Sequence, residues 1–289
     1  MIAPTQRLTG AGVSLNARCI EGDRARTVVV LHGYLDCAAS FDTLCEGLAR
    51  SGRHVVAMDH RGHGESDWTP PGSYYHFFNY LADLDAAITS LEISQPISLV
   101  GHSMGGNIAT LFAGSRPERV AALVLAEGIG LPMQSADLAV VRATRWLTQL
   151  AQPKTRTARP MRDLAEAVAR LQVAHSAVSP EVLAHHAVAL LQKRDDGLLQ
   201  WRFDPLLQSV SPGRFDAEAF EAFADAITAP TLLVDGGTTG LHFEATAERA
   251  ARYRAVAKHT LPDAGHMMHW TAPEALTRVV DEFLVAHSR

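Results

Sequence analysis

The sequence predicts an α/β fold built on a mostly parallel sheet, and three observations carry that prediction. Short, nearly uninterrupted apolar runs rich in Val, Ile and Leu recur along the chain, each followed by Gly or another turn residue. Segments with apolar residues at threes and fours separate them. Runs of the first kind suit parallel strands buried on both faces, and segments of the second kind suit amphipathic helices. Their alternation is the pattern of a doubly wound domain, whose ligands sit at the carboxyl ends of the strands.

Taken in order, the chain opens with two strands, residues 7–9 and 13–20, in which apolar and polar residues alternate as on a half-solvated antiparallel edge. The buried runs are 27–31, 54–58, 97–100, 120–125 and 231–234. Helical periodicity marks 40–51, 75–92, 105–115, 243–254 and 273–286. Between about 131 and 226 the alternation stops. Amphipathic helices at 137–151, 163–173 and 180–192 follow one another through Pro-bearing loops, with no apolar strand run among them. The expected organisation is a core of residues 1–130 and 227–289 with a helical cap, 131–226, inserted after the sixth strand. An insertion there lies over the strand ends as a lid and can exclude water.

With 289 residues, 47% hydrophobic and 20% charged, the chain can bury a large core. A formal net charge of −5 argues against nucleic acid as a partner, because that affinity rests on clustered Lys and Arg. Cys19, Cys37 and Cys45 cannot all pair, and none has C-x-x-C spacing, so thiols in a reducing compartment are expected. No basic leader with an apolar stretch opens the sequence, and no run of about 18 apolar residues occurs in it. A cytoplasmic protein without a membrane partner, monomeric or homodimeric, is the expectation.

The strongest chemical signal is Leu99-Val100-Gly101-His102-Ser103-Met104-Gly105-Gly106, an apolar strand running through G-x-S-x-G into a helix. A serine on so sharp a turn projects its hydroxyl outward, and the flanking positions must lack large side chains. The backbone N–H of Met104 opens the helix beside that hydroxyl, where a developing oxyanion is stabilised. A second donor, the N–H of Tyr34, is available in His32-Gly33-Tyr34 after the third strand. Near the C-terminus, Asp263-Ala264-Gly265-His266 supplies a general base, His266.

Five blocks in order resemble the α/β-hydrolase family across nearly the whole chain. LHGYLDCAASF is similar to its oxyanion loop, AMDHRGHGESDW to the D-x-R-G-x-G-x-S block, and LVGHSMGGNIA to the nucleophile elbow. RPERVAALVLAEG and LPDAGHMMHWTAPEAL are similar to its sixth strand and histidine loop. The resemblance implies an eight-stranded, mostly parallel sheet flanked by helices, an inserted helical cap, and a carboxylesterase-like hydrolase with no cofactor. In the RGHGES block, Asp59, Arg61 and Ser66 are read as braces for the loops rather than as catalytic groups.

The acid of the triad departs from the common pattern, since PTLLVDGGTTG carries Thr239 where most members have Asp. A threonine cannot hold an imidazolium by charge. Two candidates remain, Glu127 just past the sixth strand and Asp235 at the end of the seventh. Glu127 is favoured: its place resembles the acid position of relatives, haloalkane dehalogenases among them, that carry the acid one strand earlier. Those relatives use an Asp nucleophile. An alkyl ether on Ser103 could not be hydrolysed whereas an acyl ester can, so the expected substrate is a small molecule offering a carbonyl carbon.

Other features weigh less. His185-His186 and His266-x-x-His269 lack a carboxylate or cysteine completing a metal set, and no metal is expected. The insertion is basic at its start, with Arg142, Arg145, Lys154, Arg156, Arg159, Arg162 and Arg170 against Asp137, Asp163 and Glu166. It reads as a solvated face that an anionic substrate tail or acidic partner could also use. Tyr34, Trp68, Phe77, Phe78, Trp146 and Trp201 are candidates for lining a pocket. The same machinery also serves C–C, lactone, thioester and amide hydrolysis, and a non-catalytic small-molecule receptor is the rival from another class.

Overall fold

A computed structural model describes residues 3–152, 159–253 and 256–287. Its strands are β1 (Thr5–Thr9), β2 (Ser14–Ile20), β3 (Asp23–Leu31), β4 (Arg53–Met58), β5 (Ile97–His102), β6 (Val120–Ala126), β7 (Leu191–Lys193), β8 (Leu199–Trp201), β9 (Thr231–Asp235) and β10 (Val256–Thr260). Eight of them form one sheet in the order β1-β2-β4-β3-β5-β6-β9-β10. β2 runs antiparallel to both its neighbours, and the other pairs are parallel. The helices are α1 (Asp42–Arg50), α2 (Phe77–Ser90), α3 (Met104–Ser115), α4 (Ala139–Leu150), α5 (Leu164–Ala174), α6 (Pro180–Leu190), α7 (Ala217–Ala226), α8 (Thr246–Ala250), α9 (Met268–Thr271) and α10 (Pro273–His287).

The buried runs work as a period-two code. Val28, Val30, Val55, Val100, Val124 and Val234 point to one face, where Leu44 and Leu48 of α1 and Val280 and Leu284 of α10 cover them. Val29, Leu31, Val56, Leu99, Leu123 and Leu233 point to the other, beneath Leu84 of α2 and Ile108 and Phe112 of α3. Burial of each such side chain contributes about 1.5–3 kcal/mol, so apolar contact is the main force holding both faces. All of β4 and β5 is buried, as uninterrupted apolar runs require.

The structure departs from the sequence reading in three places. The edge strand β10, Val-Ala-Lys-His-Thr, is mostly exposed and lacks the apolar run that betrays a buried strand. The insertion after β6 is not wholly helical, because β7 and β8 pair as a hairpin. Three-residue strands are too short to show a period. The helix expected over 243–254 shrinks to α8: the Phe243 N–H is taken by Thr246 Oγ1 at 3.0 Å, so helix begins only at Thr246. Position 254 lies outside the described residues.

Cys19, Cys37 and Cys45 are buried and free. Among the described residues, no helix is long and apolar enough to cross a membrane.

The loops after β3 and β4 are knitted together by neutral imidazoles. His60 donates its backbone N–H to His32 Nε2 at 3.0 Å, and its ring Nε2 lies 3.1 Å from the His32 carbonyl oxygen. Burial, reinforced by its histidine neighbour, lowers His60 from 6.5 to about 3, and burial lowers His63 to about 4. The unfolded chain therefore binds protons that the folded chain refuses. Stability from these two rings is complete above pH 6.5 and is lost as pH falls, toward about 4 for His63 and about 3 for His60. Burial raises the carboxyls of Asp36 and Asp59, which act in the opposite sense. Urea titrations at pH 7.5 and 4.5 should show a net loss, about 2 kcal/mol for each of the two histidines before that offset.

Candidate active site

Strand register brings the site together. His102 of β5 pairs with Ala126 of β6, and Ala126 pairs with Val234 of β9, so three parallel strands end level with one another. The next residues, Ser103, Glu127 and Asp235, thus stand side by side. The ladder continues past the strands, with Ser103 N–H donating to Ala126 O at 2.9 Å and Glu127 N–H to Val234 O at 3.1 Å.

Ser103 has φ 51° and ψ −116°, a backbone conformation costing a non-glycine residue roughly 1–3 kcal/mol. Tight contacts on both sides enforce it. A Cβ on Gly101 would fall 2.5 Å from Gly105 O, and one on Gly105 would fall 2.2 Å from Leu31 O. The serine therefore stands at the mouth of α3 instead of continuing β5. Met104 opens α3, so its N–H has no carbonyl one turn earlier. Among the described residues, the Tyr34 N–H has no backbone acceptor either.

His266 joins serine to carboxylate. Its Nε2 lies 3.2 Å from Ser103 Oγ and its Nδ1 lies 2.8 Å from Glu127 Oε2. The Glu127 side chain is only 3% exposed, and the residue's φ of 50° turns it out of the strand direction. Burial pushes its carboxyl up, but hydrogen bonds from His266, the Leu241 N–H and the Gly236 N–H outweigh it and leave it below the usual range. An ionised Glu127 can only accept, which fixes the proton on Nδ1 and leaves Nε2 bare toward the serine.

Asp235 takes a different partner. Its Oδ2 lies 2.6 Å from His242 Nε2 and its Oδ1 accepts the Gly237 N–H, at 40% side-chain exposure. Thr239 lies in the turn Gly237–Thr239 beside Gly265 of the histidine loop. Asp59 accepts from Asn16, Ala38 N–H and Glu65 N–H, Arg61 pairs with Asp83, and Ser66 donates to the Asp59 carbonyl. These three brace the loops.

The sequence reading missed a buried layer behind Ser103, His266 and Glu127. His102 Nε2 lies 2.8 Å from the carbonyl oxygen of His266, tying the bend at Ser103 to the loop that carries His266. Its ring packs against His266 and His269, and burial keeps it neutral. His269 in turn donates from Nε2 to Asp36 at 2.8 Å. Nothing in the spacing of Asp36, His102 and His269 foretells that they meet.

A cavity of about 710 Å³ opens between the loop after β3 and the insertion. Tyr34, Met267, Trp270 and Leu35 line it from the sheet side, and Trp201 and Leu171 from the insertion. Ser103 and His266 do not line it, but their neighbours in the oxyanion and histidine loops do. Tyr34 Oη donates to Leu207 O at 2.8 Å and pins the two parts together. Of the other candidate aromatics, Phe77 and Phe78 line a separate cavity of about 250 Å³, and Trp146 packs edge-on against Tyr74. Trp68 lines neither. His185 and His186 pack ring against ring, and Lys154 and Arg156 lie outside the described residues.

A sheet of this order, with serine on a strained bend and histidine and glutamate in line behind it, defines a chain of the α/β-hydrolase class. The family model described as alpha/beta hydrolase fold matches residues 26–273, and the chain belongs to that family. It is 40% identical over 114 residues to a serine hydrolase-like protein of Danio rerio, covering 39% of this chain and 34% of that one. It is 26% identical over 275 residues to the sn-1-specific diacylglycerol lipase ABHD11 of Mus musculus, covering 93% and 85%. Among solved structures, the thioesterase domain from the curacin biosynthetic pathway superposes with a TM-score of 0.82 at 26% identity, over 96% of this chain and 98% of that one.

The Glu127 cradle makes a local steric demand that can be measured. A Cβ on Gly240 would fall 2.0 Å from Glu127 Oε1, whereas one on Gly213 meets nothing within 4 Å. Gly240→Ala should lower stability by about 1–3 kcal/mol in thermal melts, and Gly213→Ala should change it by less than about 0.5 kcal/mol.

Proposed function

We propose that the chain hydrolyses a small to medium carboxylic ester through an acyl-enzyme on Ser103. The observation that carries this reading is the unbroken line from Ser103 Oγ through His266 to Glu127 Oε2. His266 Nε2 takes the serine proton as the hydroxyl attacks, and the amides of Met104 and Tyr34 hold the oxyanion. His266 then protonates the leaving alcohol and activates water for deacylation, with Glu127 balancing the imidazolium charge. No step in this route calls for a cofactor or metal. Residues 131–226 act as the cap, with the cavity beneath them receiving substrate. The similarity to a diacylglycerol lipase and to a thioesterase domain supports acyl transfer to water without fixing the acyl group.

Steady-state kinetics on p-nitrophenyl esters test the assignment. Ser103→Ala should lower kcat by roughly 10⁴-fold or more. Glu127→Gln should lower it by about 10²–10⁴-fold, while Asp235→Asn, at an exposed position bonded to His242, should stay within about threefold. A larger loss in Asp235→Asn than in Glu127→Gln would move the acid to β9.

A further inference from the structure

We infer that the cavity takes an acyl substrate carrying an oxyanion, a carboxylate or phosphate, at the end remote from the scissile carbonyl, and that Arg159 is its partner. The inference rests on the ester-hydrolase reading above. Two arginines, Arg159 and Arg170, line the insertion side of the cavity, and Asp36 is the only acidic residue that lines it among the described residues. Asp36 cannot serve as their counter-charge. Its carboxylate is buried and already accepts from Ser40 Oγ, the Cys37 N–H and His269 Nε2.

The two arginines do different work. Arg170 is committed to structure: Nη1 donates to Arg159 O at 2.8 Å, and Nη2 to Pro160 O at 2.8 Å and Glu166 at 2.7 Å. One residue further on, Met161 exchanges both backbone hydrogen bonds with Leu199 of β8. The backbone that carries Arg159 is thus braced from two directions. Glu166 is shared by Arg162 and Arg170, and no described carboxylate reaches Arg159. Arg159 lines the same cavity as Gln152 and Gln208, whose side-chain amides carry no charge. A planar guanidinium with no carboxylate partner matches an oxyanion bidentately, and uncharged amides in the same cavity do not compete with that anion. The wall between, with Leu171, Trp201 and Trp270, suits an apolar chain.

Matched substrate pairs separate this from a generic esterase pocket. The first pair is p-nitrophenyl hexanoate and the mono-p-nitrophenyl ester of hexanedioic acid, which differ by the terminal carboxylate. The second is S-butyryl pantetheine and its 4′-phosphate. The readout is the ratio of kcat/KM for the anionic over the neutral member, from which any loss of folded protein cancels. The wild type should favour the anionic member of one pair by about tenfold, and that pair identifies carboxylate or phosphate. Arg159→Gln should bring the ratio to about one, added salt should shrink it, and Arg162→Gln, outside the cavity, should keep it. Equal rates within both wild-type pairs, or a ratio that survives Arg159→Gln, would overturn the inference while leaving the esterase reading intact. Turnover of no ester at all would overturn both.

Discussion

The site depends on three parallel strands ending at the same level. Because β5, β6 and β9 are adjacent and in register, Ser103 and Glu127 leave the sheet as neighbours. Both then turn into positive φ, at 51° and 50°. Strain of that kind persists only when its surroundings over-determine it. Here the surroundings are the apolar ladder below and the close backbone contacts of Gly101 and Gly105 above. Folding energy from the two hydrophobic layers is in this way converted into a fixed position for one hydroxyl.

Electrostatics complete what the register begins. A buried carboxylate is costly unless fully bonded. Glu127 meets that condition with two backbone N–H groups and one imidazole. The N–H groups of Gly236 and Leu241 thereby hold the carboxylate that projects from the end of β6. Behind it, His102 and His269 are held neutral by burial and fix the loop that carries His266. The His266 imidazole is thus oriented through its ring by Glu127 and through its backbone by His102.

What was legible in the sequence follows from what periodicity and local turns encode. The buried strands were readable because both faces of the sheet are covered, so their apolar runs are nearly unbroken. Ser103 was readable because a sharp elbow demands glycines on both sides. Spacing does not choose between Glu127 and Asp235, since one follows the end of β6 and the other closes β9 beside it. Only the direction of their side chains separates them, toward His266 and toward His242. The Asp36–His102–His269 layer was invisible for a similar reason: its members come from the loop after β3, the end of β5 and the short helix α9, and meet only in three dimensions. The β7–β8 hairpin and edge strand β10 were missed because short or exposed strands carry no run to detect.

The cavity gives this machinery a direction, because the oxyanion loop and the insertion share it and Tyr34 belongs to both through its contact with Leu207. The strand ends carry Ser103, Glu127 and the contacts of His266, and the insertion supplies the far wall of the cavity, so the two can vary independently on one scaffold. The central claim is that the Ser103 hydroxyl is uniquely activated. Treating the folded protein with a fluorophosphonate and mapping the adduct by peptide mass spectrometry tests it most directly. Stoichiometric modification confined to Ser103 is the predicted result. An unmodified Ser103, or modification spread over other hydroxyls, would contradict the account.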